Sequence, residues 1–174
     1  AIVGRRRYGI PFVLGDLSEG IPLDDEKLDM VLMLDVLEHV EDERSLLNDV
    51  FRILRPQGKL VVSVPAFQVL WSRHDELHQH KRRYSRRTLV NVLTAAGFVC
   101  DRVTYFNTLL LPLVYVSRRL ERFSSAWRTS TTDYERPPRL AAVFLQWIFG
   151  LERRMVPRWN LPIGVSLLVL ARRT

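Results

Sequence analysis

Asp35, Glu38 and His39 lie three and four residues apart, so a single turn of chain can bring two carboxylates and an imidazole to one side. Two kinds of chemistry use such a set. Carboxylates and imidazoles can hold a divalent cation that lowers the pKa of a bound hydroxyl group. Alternatively, the imidazole of His39 can act as a general base and take the proton of a reacting group. The spacing alone leaves both interpretations open.

The residues around this turn indicate the elements that position it. Asp29–Val36 is a β-rich apolar run of the length expected for a buried parallel strand. Glu41–Leu54 has apolar residues at spacings of three and four, which predicts an amphipathic helix that Pro56 and Gly58 end. Lys59–Val64 then begins a second buried strand. The segment is therefore predicted to be a parallel β-α-β unit with a ligand site at the carboxyl end of its first strand.

A second group of polar and aromatic side chains follows the second strand, in the segment Phe67–Tyr84. Their density is unusual for a loop and predicts a substrate pocket; the group comprises Trp71, His74, Asp75, His78, His80 and Tyr84. His74 and His78, which are four residues apart, also suit the exposed face of one short helix. Arg82 and Arg83 are predicted to bind a carboxylate or phosphate group of a substrate.

The chain resembles the class I S-adenosylmethionine-dependent methyltransferases, in particular the large group that acts on small molecules. The resemblance is carried by D-V-L-E-H-V at Asp35–Val40 and by L-R-P-Q-G at Leu54–Gly58, which match the turn and the helix end of that family. Further pieces follow in the family's order: Gly15-Asp16 after the short strand Phe12–Leu14, H-K-R-R-Y-S at His80–Ser85, the helix Arg86–Ala96, Ala96-Gly97-Phe98 and the last strand Gly164–Arg172.

This resemblance implies an α/β fold with the Rossmann-like sheet of class I methyltransferases. In that sheet strands one and two lie between the third and the fourth, and the seventh lies between the fifth and the sixth. It also implies transfer of a methyl group from S-adenosyl-L-methionine to a small-molecule or lipid-like acceptor. The roles it implies are cofactor binding by Asp16, Leu17, Asp35, Val36 and Glu38, catalysis by His39 and His80, and substrate binding by Trp71, His74, Tyr84 and Asn107.

The resemblance adds a third interpretation of the turn after the first strand. Many relatives keep Glu-His there without a metal, where Glu38 and His39 would shape the cofactor pocket and cap the next helix. Relatives in quinone biosynthesis and small-RNA methylation instead hold a metal with an E-x-x-E-H cluster and a residue further downstream. The corresponding residues are Asp35, Glu38, His39 and His80, so a divalent cation is a further candidate cofactor.

One part of the family pattern is not found in the sequence. The glycines before Asp35, at positions 4, 9, 15 and 20, do not form the G-x-G-x-G loop that binds the methionine end of the cofactor. We therefore expect residues 1–174 to be a single, N-terminally truncated methyltransferase domain with strands three to seven, weak or inactive alone. The competing hypothesis is a non-catalytic domain of the same fold that binds a membrane or a partner.

Residues 107–158 depart from the alternation of strands and helices. Two apolar runs, Thr108–Val116 and Leu140–Leu151, flank a polar stretch, and both are too short to span a bilayer. We expect a helical cap over the substrate. One alternative is an amphipathic face that rests on a membrane, because arginines flank the apolar runs. The other alternative is a dimer interface.

The composition limits the partners and the compartment. The net charge of +7 comes from scattered arginine clusters without a nucleic-acid reader motif, so nucleic acid is not an expected partner, whereas an anionic substrate or peripheral membrane contact remains open. The single cysteine, Cys100, excludes an intramolecular disulfide and fits the reducing cytoplasm, with the inner membrane face as a possible location. The oligomeric state is left open.

Overall fold

A computed structural model of the chain describes residues 15–17, 19–123 and 139–174. The predicted short strand Phe12–Leu14 and most of the polar stretch between the two apolar runs lie outside these residues.

The predicted β-α-β unit is present. It consists of strand β1 (Leu28–Leu34), helix α1 (Glu43–Ile53) and strand β2 (Leu54–Pro65). The two strands run parallel, with Val31 opposite Leu60 and Leu34 opposite Ser63. The carboxylate of Asp42 accepts a hydrogen bond from the Ser45 amide, which caps the first turn of α1. The adjacent, co-directional strands that the sequence predicts are thus confirmed.

The Pro-Gly turn ends α1 in a form that the sequence does not reveal. Leu28 pairs with Leu54 but Met30 pairs with Lys59, so the residues between Leu54 and Lys59 form a bulge on β2. Gln57 has the positive φ of 65°, whereas Gly58 does not. Gly58 is needed because an added Cβ would lie 2.7 Å from the carbonyl oxygen of Arg55.

The remaining elements complete a four-stranded sheet. They are α2 (Arg73–Leu77), α3 (Arg86–Ala95), β3 (Phe98–Phe106), α4 (Leu111–Phe123), α5 (Arg139–Met155) and β4 (Ser166–Arg173). The strand order is β1-β2-β4-β3, and β4 runs antiparallel to both of its neighbours. This order corresponds to the fourth, fifth, seventh and sixth strands of the predicted sheet, so the fold class is confirmed.

The hydrophobic core lies between one face of the sheet and the helices α1 and α3. Leu47 of α1 and Leu93 of α3 are fully buried, and so are Val62 of β2 and Val169 of β4. Because successive side chains of a strand alternate between faces, the buried residues occupy every second position. This packing fixes the positions of β1 and β2 and therefore of the residues that follow each strand.

The opposite face of the sheet is apolar and largely open. Met30, Leu32 and Leu34 of β1 are each more than half exposed, while Val61 and Leu170, in register with Leu32, are half-buried. In the part of the chain that the structure describes, no strand pairs with the outer edge of β1. Among these residues β1 is therefore an edge strand with an exposed apolar face.

Both apolar runs of residues 107–158 are helical, in α4 and α5. Arg102 on β3 fixes the end of α5 to the sheet, because its guanidinium donates to the backbone carbonyls of Val156, Pro157 (3.1 Å) and Trp159 (2.9 Å). No described helix has both the length and the apolar character required to cross a bilayer.

Candidate functional site

Two residues at strand ends adopt the left-handed conformation on the same edge of the sheet. Asp35, directly after β1, has φ of 53°, and Asn107, directly after β3, has φ of 58°. Residues other than glycine adopt this conformation infrequently, and those that do are concentrated at functional sites. The amide of Asp35 donates to the backbone oxygen of Ser63 (3.0 Å) and to its Oγ (3.2 Å), which in turn donates to the Asp35 carboxylate. Ser63 therefore fixes the position of Asp35, and the side chain of Asp35 remains exposed.

Glu38 is fully buried, and neither oxygen of its carboxylate has a hydrogen-bond partner among the described residues. Burial raises the pKa of Glu38 to about 7, and the negative charges of Asp35 and Asp75 act in the same direction. A buried carboxylate without a donor is destabilising, so its retention calls for an explanation. Only its backbone is anchored, because the Glu38 carbonyl accepts from the Lys81 amide at 2.7 Å.

His39 and His80 meet beside Glu38. Their ring centroids are 4.7 Å apart in an edge-on arrangement. Partial burial lowers the pKa of His39, and the nearby imidazoles of His80 and His78 lower it further. One possible ligand atom from each of Glu38, His39 and His80 lies within 4.8 Å of the others. The two predicted catalytic residues are therefore brought together, and the metal-ligating set contains these three residues without Asp35.

A buried carboxylate behind His80 holds its ring in place. Asp75 is fully buried, and its carboxylate contacts Nδ1 of His80 at 2.8 Å and Nε of Arg83 at 2.7 Å. Burial by itself would raise the pKa of Asp75, but the hydrogen bonds from Arg83 and His80 hold it below its usual value. Because the ionised Asp75 accepts a hydrogen bond from Nδ1–H of His80, it leaves Nε2 as the ring atom able to bind a cation.

The prediction that Arg82 and Arg83 bind a substrate anion is wrong. The side chain of Arg83 is buried on Asp75. Arg82 lies 3.3 Å from the carboxylate of Glu43 and donates to the backbone oxygens of Val40 and Glu41. Arg82 thus holds the loop against the turn that follows β1, and Arg83 holds the loop together through Asp75.

The position of Tyr84 also differs from the predicted contact with a substrate. The residue is buried, and its hydroxyl donates to the carboxylate of Glu43. Burial and this carboxylate both raise the pKa of Tyr84, so the phenol stays protonated. Tyr84 fastens the loop to α1, and its ring belongs to the hydrophobic core.

A cavity of about 530 Å³ lies at the carboxyl ends of β1 and β3, beneath α5. Its polar lining includes Asp35, Asn107 and Glu152, and its apolar walls are Leu34, Phe106, Phe149, Val156, Pro157 and Leu168. Of the four predicted substrate residues, Asn107 is the one that lines it. Trp71 and His74 are half-buried in the loop after β2, where the His74 ring lies 4.2 Å from that of His78.

Glu152 belongs to this site, although the sequence interpretation missed it. It is the only acidic residue of α5, in an otherwise apolar and basic segment, and this isolation is the one sequence signal that could have identified it. Of the predicted cofactor residues, Asp35 lines the cavity. Val36 is half-buried in the turn, whereas Asp16 and Leu17 are exposed. The chain beyond them is held to α1, because the Ile21 amide donates to Asp49 at 3.2 Å.

Comparison with known proteins identifies the family to which these elements are similar. Residues 2–62 match the family model described as a methyltransferase domain. A protein of Mycolicibacterium smegmatis named as a probable S-adenosylmethionine-dependent methyltransferase is 36% identical over 87 residues, which are 48% of this chain and 33% of that protein. The chain thus spans about a third of the length of the curated relatives it matches.

Solved structures show the same fold at low sequence identity. An S-adenosylmethionine-dependent methyltransferase from Mesorhizobium loti has a TM-score of 0.54 at 19% identity, covering 98% of this chain and 75% of its own. The [4+2]-cyclase SpnF has a TM-score of 0.55 at 17% identity, covering 99% of this chain and 61% of its own. These likenesses establish the fold.

Proposed function

We propose that the chain is part of a class I S-adenosylmethionine-dependent methyltransferase, to which its sequence and fold are similar, and that it takes part in methyl transfer to an acceptor bound beneath α5. The observation that carries this proposal is the convergence of Asp35 and Asn107 on one cavity of about 530 Å³. Open α/β sheets bind ligands at the carboxyl ends of their strands, and both residues follow directly after such an end. In this proposal α4 and α5 form the cap of the acceptor site.

The described residues at this edge suit the cofactor S-adenosyl-L-methionine. The exposed carboxylate of Asp35 can accept hydrogen bonds from hydroxyl or ammonium groups, and the exposed Leu34 offers an apolar surface to a flat ring. We place Val36 and Glu38 in the wall of the cofactor pocket, and Asp16 and Leu17 near the adenine. When bound, the cofactor supplies a methyl group that is already electrophilic, so the protein contributes mainly the alignment of the acceptor.

An acceptor that loses a proton on methylation needs a base, and His39 is our candidate for this role. Because its pKa is lowered, the His39 imidazole is neutral near neutral pH and can take up a proton. His80 lies against it, with Nδ1 held by Asp75. We propose that His39 accepts the proton and that His80 supports it, whereas Trp71 and His74 line the approach of the substrate.

We further propose that the acceptor is lipid-like. Large apolar side chains of the cap and of the segment directly after it are exposed, including Leu113, Val116, Trp147 and Trp159. Arg153 and Arg154 lie close in sequence to the two tryptophans. Exposed tryptophans with neighbouring arginines suit the surface of an anionic membrane. Peripheral contact with the inner face of the membrane would bring such an acceptor to the cavity.

A methyl-transfer assay tests the proposed function. The protein is incubated with S-adenosylmethionine labelled with tritium in the methyl group, and with phenols, amines or a phospholipid extract as separate acceptor classes. We expect slow transfer to at least one class, because the sequence predicts a weak activity for these residues alone, with loss of transfer in Asp35→Ala, a lower rate in His39→Ala and an unchanged rate in His78→Ala. A rate in Asp35→Ala equal to that of the unchanged chain would contradict the proposal. Transfer to none of the classes would favour a non-catalytic binding domain.

A divalent cation bound by Glu38, His39 and His80 is the alternative to catalysis by His39 alone. One carboxylate and two imidazoles are a common donor set for zinc and related metals. The Asp75–His80 hydrogen bond supplies the outer partner that metal-binding histidines require. A bound cation would also neutralise the Glu38 carboxylate, which has no hydrogen-bond partner among the described residues.

Titration of zinc into the chain tests this site by calorimetry. We expect one ion per chain and an affinity that falls about 10- to 100-fold or more in His80→Ala, because a ligand is lost. His78→Ala is the matched control, since His78 is exposed and outside the three-residue set. Equal affinities of the two variants, or no binding at all, would rule out a cation bound by Glu38, His39 and His80.

A further inference from the structure

Glu152 is a second buried carboxylate with an unused oxygen. Its side chain is only 4% exposed, although it lies on α5 near the open end of the sheet. Oε1 accepts a hydrogen bond from the backbone amide of Thr108 at 2.9 Å. Oε2 is buried and has no hydrogen-bond partner among the described residues. The Thr108 hydroxyl donates to the carbonyl of Ile163, so the residue that holds Glu152 is itself fixed.

The surroundings of Glu152 determine what can satisfy its second oxygen. Glu152 lines the cavity of about 530 Å³ together with Asp35 and Arg153. A carboxylate oxygen that is out of contact with water favours a charged donor over an apolar neighbour. Two carboxylates against one guanidinium leave the cavity with a negative balance. The charge therefore favours a cationic ligand group and disfavours a carboxylate or phosphate.

We propose that Glu152 anchors the acceptor by binding its ammonium group at Oε2. The aromatic rings of Phe106 and Phe149, which line the same cavity, would then pack against the apolar body of that amine. Glu152 acts as a binding residue in this assignment, and Thr108 is a positioning residue that orients it. The inference rests on the proposed function only in calling the ligand a methyl acceptor.

Ligand-observed NMR on the chain, without cofactor, tests this assignment with three probes of the same shape. These are phenethylamine, the neutral 2-phenylethanol and the anionic 3-phenylpropionate. We expect phenethylamine to bind most tightly and 3-phenylpropionate to bind least. Glu152→Gln keeps the shape of the side chain and should weaken phenethylamine binding about 10- to 100-fold, because hydrogen bonds to charged groups contribute that much.

Arg153→Gln is the matched control, because it removes a charge from the same helix and the same cavity. It should leave phenethylamine binding unchanged or strengthen it. Equal binding of the three probes, or an equal effect of the two variants, would overturn the assignment. Thermal unfolding of both variants shows whether each is folded. If Glu152→Gln is unfolded, Glu152→Asp replaces it. Its shorter carboxylate should weaken the binding of phenethylamine but not that of 2-phenylethanol, and an equal effect on the two probes would overturn the assignment.

The outcome is independent of catalysis. Selective binding of phenethylamine without any methyl transfer would support the Glu152 site while contradicting the proposed function. Methyl transfer with an amine KM that is the same in Glu152→Gln and in the unchanged protein would contradict the Glu152 site alone.

Discussion

Replacement of Asp75 by alanine is expected to reduce the free energy of unfolding by about 3–5 kcal/mol, because it leaves a buried charge without its partner. The guanidinium of Arg83 is almost fully buried, and both Nε and Nη2 donate to Asp75, at 2.7 and 3.0 Å. Asp75 also accepts from the Ser72 amide at 2.9 Å and completes the capping box of α2. This loss is a large fraction of the total free energy of unfolding of a domain of this size.

Urea unfolding followed by circular dichroism measures this effect. Asp101→Ala is the control, because it removes the exposed Arg172–Asp101 ion pair and should change the free energy of unfolding by less than about 1 kcal/mol. The double variant Asp75→Leu/Arg83→Met removes both charges and should recover much of the loss. If Asp75→Ala were as stable as Asp101→Ala, the buried ion pair would not hold the loop in place.

The second large effect concerns the dependence of stability on pH. Folding raises the pKa of Glu38 from an ordinary value of 4.5 to about 7, so the folded state binds more protons than the unfolded state between these values. The free energy of unfolding should therefore fall as the pH rises from 4.5 to 7, by about 3 kcal/mol in total. Glu38→Gln removes this titration, so at pH about 8 the variant should be the more stable protein, and near pH about 4 the two should be similar.

Chemical unfolding across this pH range, with a chelator present, compares the chain with Glu38→Gln. Glu41→Gln is the matched control, because the Glu41 side chain is 79% exposed and should leave the pH profile unchanged. Identical slopes in all three proteins would show that Glu38 is not protonated on folding. Repeating the series with zinc instead of the chelator should flatten the slope, if a cation binds the ionised Glu38.

The sequence was sufficient for the β-α-β unit because the signals that define it are local. Apolar periodicity distinguished β1 from α1, and the Pro56–Gly58 turn ended the helix within five residues. The meeting of His39 and His80 was anticipated only through the family motif that contains them. Their spacing of 41 residues carries no physical signal of contact.

The rest of the site depends on contacts between distant parts of the chain. Arg82 and Arg83 look like ligands for an anion in sequence, but the loop turns both inward, because Asp75 and Glu43 are buried or half-buried and need cationic partners. Tyr84 was assigned to the substrate because it belongs to the family motif, whereas its hydroxyl donates to Glu43, which lies 41 residues away. Glu152 is paired with Thr108 across 44 residues, and no pattern within α5 reveals that pairing.

We propose that S-adenosylmethionine binds at the carboxyl end of β1, against Asp35. Titration of the cofactor into the isotope-labelled chain, followed by amide chemical shifts, tests this binding site. We predict that the largest shifts fall on Asp35–His39, with smaller ones at Asp16 and Leu17, and that Asp35→Ala removes them while the protein stays folded. Shifts confined to other surfaces, or none at millimolar cofactor in a folded chain, would contradict it.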